Sequence, residues 1–171
     1  GVVTNDQNPN GSASDTESFD LEVPVLKECD IELSKTSINI DPGNTGTVIA
    51  TFSNTGNSDW SLNVAFGGSN AGWAEVDGAS SGMLPYSDGE GQKEFTVEIT
   101  PDDSVEANSQ SAITIQGKDG GIVKCSSDIS VTVGQSYGAT MSLGNTALYN
   151  IEPGQNTSTT LTVTNAGNGA D

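Results

Sequence analysis

Short runs of alternating apolar and polar residues cover most of this chain. Phe95, Val97 and Ile99, for example, alternate with glutamate and threonine, and a period of two places such side chains on one face of a β-strand. Turn residues separate the runs, and no long stretch has the helical period. The pattern predicts an all-β fold, an immunoglobulin-like β-sandwich of about seven strands in residues 29–133. The strands are predicted at residues 31–40, 46–53, 60–66, 73–76, 95–99, 112–115 and 122–133, with a bend at 34–36 that moves the first strand between sheets and a loop at 77–92.

Residues 41–57 return as residues 152–168, 111 positions further on. Each copy has a Pro-Gly turn, because proline presets φ at the first central position and glycine accepts φ > 0 at the second. An alternating strand and an Asn-x-Gly-Asn turn follow. From Tyr137 onward a new unit therefore begins, with strands at 141–143 and 159–164. Two strands alone cannot bury an apolar face, so we expect other residues or another copy to complete it.

The first 25 residues resemble the end of such a unit. Residues 20–25 alternate like residues 128–133, and both precede a linker. Residues 19–25 as a whole alternate apolar with polar residues. They predict a half-buried last strand with Pro24 at its edge or end, after a turn-rich loop or hairpin tip in residues 1–17. Three regions result: 1–25 as the C-terminal strand region of a preceding domain, 29–133 as a complete sandwich, and 138–171 as the first strands of a following domain. With glycine first and no apolar leader, the chain is expected to be part of a longer or processed protein.

Charge narrows the function. The chain has 23 acidic residues against five lysines and no arginine, for a formal net charge of −18. Such a surface repels nucleic acid and anionic lipid, and no apolar run is long enough for a membrane span. The charge suits a saline exterior where counterions screen self-repulsion, although solubility alone is an alternative reason.

Two cysteines, Cys29 and Cys125, bracket the complete unit. An even pair in this arrangement predicts a disulfide and an oxidising, extracellular compartment. If the first and last strands run parallel at one sheet edge, both cysteines lie near the starting ends of those strands. Two buried free thiols are the alternative.

Histidine is absent, which excludes Ser-His-Asp, Cys-His and histidine-ligated metal sites. The carboxylates form no recognisable catalytic motif, so we predict that the protein is not an enzyme and needs no cofactor. Calcium is the one metal for which oxygen ligands are plentiful. The candidate ligands are Asp77, Asp88 and Glu90 in one loop and Asp102, Asp103 and Glu106 in another; solvated acidic loops are the alternative.

Two other features are candidates for binding or modification. Trp60 is predicted to fill the core, as a tryptophan on the third strand of such sandwiches does, whereas Trp73 beside the long loop is a candidate binding aromatic. Asn10 and Asn156 begin Asn-x-Ser/Thr sequences and are candidate glycosylation sites if the chain is extracellular.

The run from Ile40 through the Pro-Gly turn to Asn57 resembles the opening of immunoglobulin-like repeats in archaeal and bacterial surface proteins, including CARDB-type modules. The resemblance covers residues 29–133 and 138–171. It implies tandem extracellular modules of surface layers, filaments, adhesins or secreted enzymes, and it brings no catalytic residue with it.

These observations predict a non-catalytic structural module of an extracellular surface layer, stalk or filament. A ligand- or carbohydrate-binding adhesin, with Trp73 and nearby carboxylates at the site, and an accessory domain of a large secreted enzyme are the alternatives. The expected partners are adjacent repeats or other copies of the chain, with strand complementation through residues 1–25 as one route.

Overall fold

The computed structural model describes residues 2–5, 13–16, 18–86, 91–147 and 150–170. Within them the chain forms thirteen strands and a single-turn 3₁₀ helix, Ala71–Trp73. The strands are β1 Val2–Asn5, β2 Ala13–Thr16, β3 Cys29–Leu33, β4 Ser37–Ile40, β5 Gly46–Asn54, β6 Trp60–Gly67, β7 Ala74–Val76, β8 Ser81–Leu84, β9 Gln92–Ile99, β10 Gln110–Asp119, β11 Ile122–Val133, β12 Ala139–Leu143 and β13 Leu161–Asn165.

Strands β3 to β11 form two sheets. One has the order β4-β11-β10-β6-β8 and the other β3-β5-β9-β7. All pairs are antiparallel except β4 with β11, which is parallel. This is the predicted all-β, immunoglobulin-like sandwich. The region is called the sandwich below.

The first strand divides between the two sheets, as predicted. β3 pairs with β5 in one sheet, and β4 pairs with β11 in the other. The bend between them is held by Ser34, whose N–H donates to the Ile49 carbonyl over 2.9 Å. Because both sheets gain an edge strand from one segment, the two layers are joined along that edge.

One predicted loop contains a strand. Residues 77–92 were predicted as a loop because they are rich in glycine and serine, yet β8 lies within them and pairs Leu84 with Trp60. Leu84 is fully buried. Met83 and Leu84 are adjacent and do not alternate with polar residues, so only pairing with β6 reveals this strand.

The core lies between the sheets and comes from alternate positions of nearly every strand. Phe52 and Phe95 make an edge-to-face contact with ring centroids 5.7 Å apart. Trp60 is buried, in agreement with its predicted place in the core. The buried apolar residues are Ile40, Val48, Ala50, Phe52, Trp60, Leu62, Val64, Leu84, Phe95, Val97, Ile99, Ile113, Ile115, Ile129, Val131 and Val133.

Cys29 and Cys125 form the predicted disulfide, with Cα atoms 5.4 Å apart. The predicted geometry was wrong in one respect: Cys29 lies on β3, in the sheet opposite β11, so the bond crosses between the layers. Gly117 makes room for it, because a Cβ there would lie 2.8 Å from the Cys125 sulfur and 2.9 Å from the Phe52 ring. The chain therefore gives up a side chain in β10 to place the disulfide against the core.

The N-terminal prediction is partly corrected. β1 and β2 pair as an antiparallel hairpin, but residues 18–28 form no strand. Phe19 and Leu21 are 77% and 79% exposed, so the predicted half-buried strand at 19–25 is absent. A strand needs a neighbouring strand to pair with, and nothing in the described chain supplies one. The assignment of residues 1–25 to a preceding domain stays a prediction.

At the C-terminal end, β12 and β13 pair antiparallel. We call them the C-terminal strand pair. Their register, with Ala139 opposite Asn165, reproduces that of β3 and β5, where Cys29 is opposite Asn54. β13 begins at Leu161 and not at the predicted residue 159. The longer β5 is paired on its other side by β9, and β13 has no second partner among the described strands.

Candidate functional site: the Asn-x-Gly-Asn junction

The loop after β5 folds around Asn54, which is buried. Its Oδ1 accepts the Gly56 N–H over 2.9 Å. Its Nδ2 donates to the carbonyls of Ser58 over 2.9 Å and Leu84 over 3.3 Å. An asparagine side chain that bonds its own backbone two residues on is an Asx turn. The first asparagine of the motif thus shapes the loop from within.

The second asparagine of the motif, Asn57, holds the linker that precedes the sandwich. The Leu26 N–H donates to Asn57 Oδ1 over 2.7 Å, and Asn57 Nδ2 donates to the Pro24 carbonyl over 3.0 Å. The Asn57 N–H also donates to the Leu26 carbonyl over 3.0 Å, and Thr55 N–H to the Glu28 carbonyl over 3.1 Å. The linker is thus paired with the loop through four hydrogen bonds. We call this arrangement the clasp.

The same clasp recurs after β13. Asn165 shapes the loop, and Asn168 takes the place of Asn57 on the next linker. The bond from Asn54 Nδ2 to the Leu84 carbonyl has no counterpart among the described residues, but the other six hydrogen bonds of loop and clasp have counterparts. They are Gly167 N to Asn165 Oδ1 (2.7 Å), Asn165 Nδ2 to Gly169 O (2.6 Å), Ser136 N to Asn168 Oδ1 (2.8 Å), Asn168 Nδ2 to Gly134 O (2.9 Å), Asn168 N to Ser136 O (3.3 Å) and Ala166 N to Gly138 O (2.8 Å).

The glycine of the motif is a packing requirement. A Cβ at Gly56 would collide with the Leu26 carbonyl, and one at Gly167 would collide with the Ser136 carbonyl. Neither glycine has a positive φ. Close approach of the linker backbone, and not turn conformation, therefore explains glycine here.

Two ion pairs add a second hold on the first linker. Lys27 Nζ lies 3.1 Å from Asp119 Oδ2, and Lys124 Nζ lies 3.9 Å from Glu28 Oε1. Both pairs are partly exposed, so each contributes about 0–1 kcal/mol to stability. They join the linker to the β10–β11 hairpin.

The second clasp also contacts the sandwich before it. The Ala107 N–H donates to the Asn168 carbonyl over 2.9 Å, and Asn168 Nδ2 donates to the Val105 carbonyl over 3.0 Å. Asn168 thus joins three segments: its own loop, the linker and residues 105–107. A cleft of about 440 Å³ lies beside this contact, lined by Glu106, Ala107, Asn108, Gln135, Asn168, Gly169 and Ala170.

The calcium candidates are not brought together as one site. Among the described residues, no cluster of three or more carboxylates, cysteines or histidines could hold a metal ion. Asp77, Asp102 and Asp103 are exposed, and the Asp102 carboxylate accepts a hydrogen bond from Trp73 over 3.3 Å. Asp88 and Glu90 lie outside the described residues. Calcium binding in these loops stays a prediction.

Trp73 is half-buried and packs against the core from the 3₁₀ turn. Its indole N–H is taken by Asp102, so its binding role stays a prediction that the geometry does not strengthen. Asn156 is exposed beside the second Pro-Gly turn, and Asn10 lies outside the described residues. Glycosylation of both stays a prediction.

From the sequence, Asn57 and Asn168 were interpreted as turn residues, and their hydrogen bonds to the linkers were not predicted. The available signal was that both copies of the motif have asparagine twice, although the turn itself needs only a flexible residue. The linker partners have no shared side chains, because the clasp binds their backbone. They could not be found from residue types.

No family model matches this chain, and no curated protein matches it. Several solved structures are similar. Domains 4 and 5 of the S-layer protein SbsC are 21% identical, with a TM-score of 0.42, 73% of this chain covered and 59% of that one. SbsC domains 1–6 are 16% identical, with a TM-score of 0.44, 91% of this chain and 23% of that one. PapD-like domain 7 of human CEP192 is 15% identical, with a TM-score of 0.38, 74% of this chain and 96% of that one.

The chain therefore spans about three-fifths of the two-domain SbsC structure and about a quarter of the six-domain one. The fold class does not depend on these similarities, because the sheet order and the sheet-switching first strand define it directly. The described residues contain no helix with the length and hydropathy needed to cross a membrane.

Proposed function

We propose that this chain is a non-catalytic, architectural piece of an extracellular protein made of tandem immunoglobulin-like units, of the kind found in surface layers, stalks or fibres. The observation that carries the proposal is the clasp, whose four hydrogen bonds to the linker occur twice. A protein whose units must follow one another in a set geometry needs each linker to be held in the same way.

The disulfide supports an extracellular location, because such bonds persist in oxidising compartments. The net charge of −18 supports a saline environment. Dissolved ions screen the repulsion between acidic groups that lie more than about 10 Å apart at 0.1 M salt. The hydrogen bonds of the clasp join neutral amide groups, so the clasp contains no oppositely charged pair that would offset this repulsion.

The proposed partners are the adjacent units of the same protein. Strand complementation between separate copies has less support. Residues 18–25 and the C-terminal strand pair together offer counterparts of β3, β5 and part of β11, but not of β6, β9 or β10, which form the middle of the sandwich. Deletion of residues 1–25 tests this: assembly that survives the deletion excludes exchange through this segment.

Thiol trapping tests the proposed location. Cells that carry the protein are treated with an alkylating reagent before lysis, and peptides containing Cys29 and Cys125 are analysed by mass spectrometry. We expect both cysteines to remain unmodified until a reductant is added. Alkylation without reductant would place the protein in a reducing compartment.

Electron microscopy tests the proposed role. Gold-labelled antibodies against residues 29–133 should mark a regular array, stalk or fibre on intact cells. Uniform intracellular labelling would contradict the proposal. Specific glycan binding by the purified chain, lost in Trp73→Ala, would favour the adhesin alternative.

A further inference from the structure

The two clasps differ in what covers them. Asn168 is half-buried, and its carbonyl and Nδ2 reach Ala107 and Val105 of the sandwich before it. Asn57 is exposed, and within the described residues its carbonyl accepts no hydrogen bond and its Nδ2 reaches only Pro24. The first clasp therefore has the same polar groups as the second, with the outer ones unused.

We propose that Asn57 is one half of an end-to-end contact whose partner is a loop of a preceding unit, the counterpart of residues 105–107. The inference rests on the proposed function, because it requires units in tandem. The partner loop would present a backbone carbonyl to Asn57 Nδ2 and, two residues later, an N–H to the Asn57 carbonyl, as Val105 and Ala107 do for Asn168.

The two linkers are held at equivalent positions, so a preceding unit would approach Asn57 from the side on which the sandwich approaches Asn168. The clasp bonds pair Pro24 with Gly134 and Leu26 with Ser136 as equivalent positions. In this alignment Val23 corresponds to Val133, where β11 ends, and Phe19 and Leu21 correspond to buried Ile129 and Val131. The first clasp thus begins one residue after the position that corresponds to the end of β11. The alignment also shifts the sequence similarity of 20–25 with 128–133 by two residues.

The contact between the second clasp and residues 105–107 requires small residues, and its hydrogen bonds involve no charged side chain. A Cβ at Gly169 would lie 2.9 Å from the Ala107 Cβ, so the two loops touch at this point. The counterpart of Gly169 in the first clasp is Ser58, which is also small. Backbone and amide groups carry the remaining contacts. Two acidic units can therefore meet end to end without bringing two carboxylates together, a contact that would be repulsive.

A duplicated protein tests the contact. In this protein, residues 1–138 are joined directly to a second copy of residues 29–171. The natural linker then precedes Asn57 of the second copy, and the 105–107 loop of the first copy can reach it. A107C in the first copy and S58C in the second provide a disulfide pair, detected by peptide mass spectrometry after mild oxidation. The 171-residue chain with A107C and G169C is the reference, since the structure places these positions in contact. A107C with S80C, an exposed serine elsewhere, gives the background.

We expect A107C and S58C to cross-link with a yield close to that of the reference and several-fold above the S80C background. N57A in the second copy should lower the yield, whereas N63A, at an exposed strand position, should leave it unchanged. A cross-link in the reference but not with S58C would overturn the inference and leave the proposed function standing. Failure of the reference itself would remove the junction and, with it, both proposals.

Discussion

Residues 41–57 and 152–168 have the same local structure in different surroundings. In both, the Pro-Gly turn is closed by a hydrogen bond between residues three apart, Asn44 N to Asp41 O (3.1 Å) and Gln155 N to Glu152 O (3.0 Å). Both glycines have positive φ, 70° at Gly43 and 85° at Gly154. Turn and register therefore need only the local sequence and one neighbouring strand, whereas each clasp also needs its linker.

Burial separates the two copies. Phe52 is fully buried, and its counterpart Val163 is 60% exposed. Ile40 is 5% exposed, and its counterpart Ile151 is 47% exposed. The C-terminal strand pair is thus formed and in register although its apolar face is exposed. Alternation prepares an apolar face, and only a second sheet removes that face from water.

The disulfide is the largest difference between the copies, because Ala139 stands at the counterpart of Cys29. C29S/C125S should destabilise the sandwich by about 4 kcal/mol, close to the loop-closure expectation for a sequence separation of 96. Denaturant unfolding measured by tryptophan fluorescence checks this. Reduction of the unmodified protein should give the same midpoint as the double variant; a midpoint unchanged by either would mean that the bond does not constrain the unfolded chain.

The isoleucine pair compares burial directly with one side chain. I40A should cost about 2–5 kcal/mol because it leaves a cavity in the core. I151A should change stability by at most about 0.5 kcal/mol, since its side chain is half exposed. Both are measured by denaturant unfolding of the 171-residue chain. Equal losses would show that the C-terminal strand pair is packed in solution as the sandwich is.

The clasp glycine provides a test of linker contact. G56A should cost about 1–3 kcal/mol, because the added methyl forces the loop away from the Leu26 carbonyl. Hydrogen exchange should report faster exchange of the Leu26 and Asn57 amides. G72A is the matched control, since no atom lies within 4 Å of its Cβ position and its φ is not positive. Similar losses in both variants would indicate that the close approach at Gly56 carries no cost.

Salt should produce the smallest effect. With a net charge of −18, added NaCl screens repulsion between carboxylates and should raise the Tm of the sandwich by a few degrees. Calorimetry at increasing NaCl concentration measures this. CaCl₂ at equal ionic strength is the comparison: a much larger rise with calcium would support the predicted calcium site near Asp77 or Asp102.

The sequence located most residues of the site but did not show that they hold the linkers. The repeat located both Asn-x-Gly-Asn motifs, and Cys29 and Cys125 were paired correctly. The motif was interpreted as a turn because its partners at Leu26 and Ser136 contribute only backbone atoms, which are the same in every residue. The strand β8 was missed because its two apolar residues, Met83 and Leu84, are adjacent and show no alternation.

The local sequence was enough to predict most of the strands and both Pro-Gly turns. These depend on alternation and on the φ preferences of proline and glycine, which act over a few residues. Tertiary structure alone decided that Cys29 bonds across the sheets and that Ile40 is buried where Ile151 is exposed. It also decided that Asn57 and Asn168 hold linkers. Such outcomes depend on which distant backbone or sheet comes within contact distance, and no short stretch of residues encodes that.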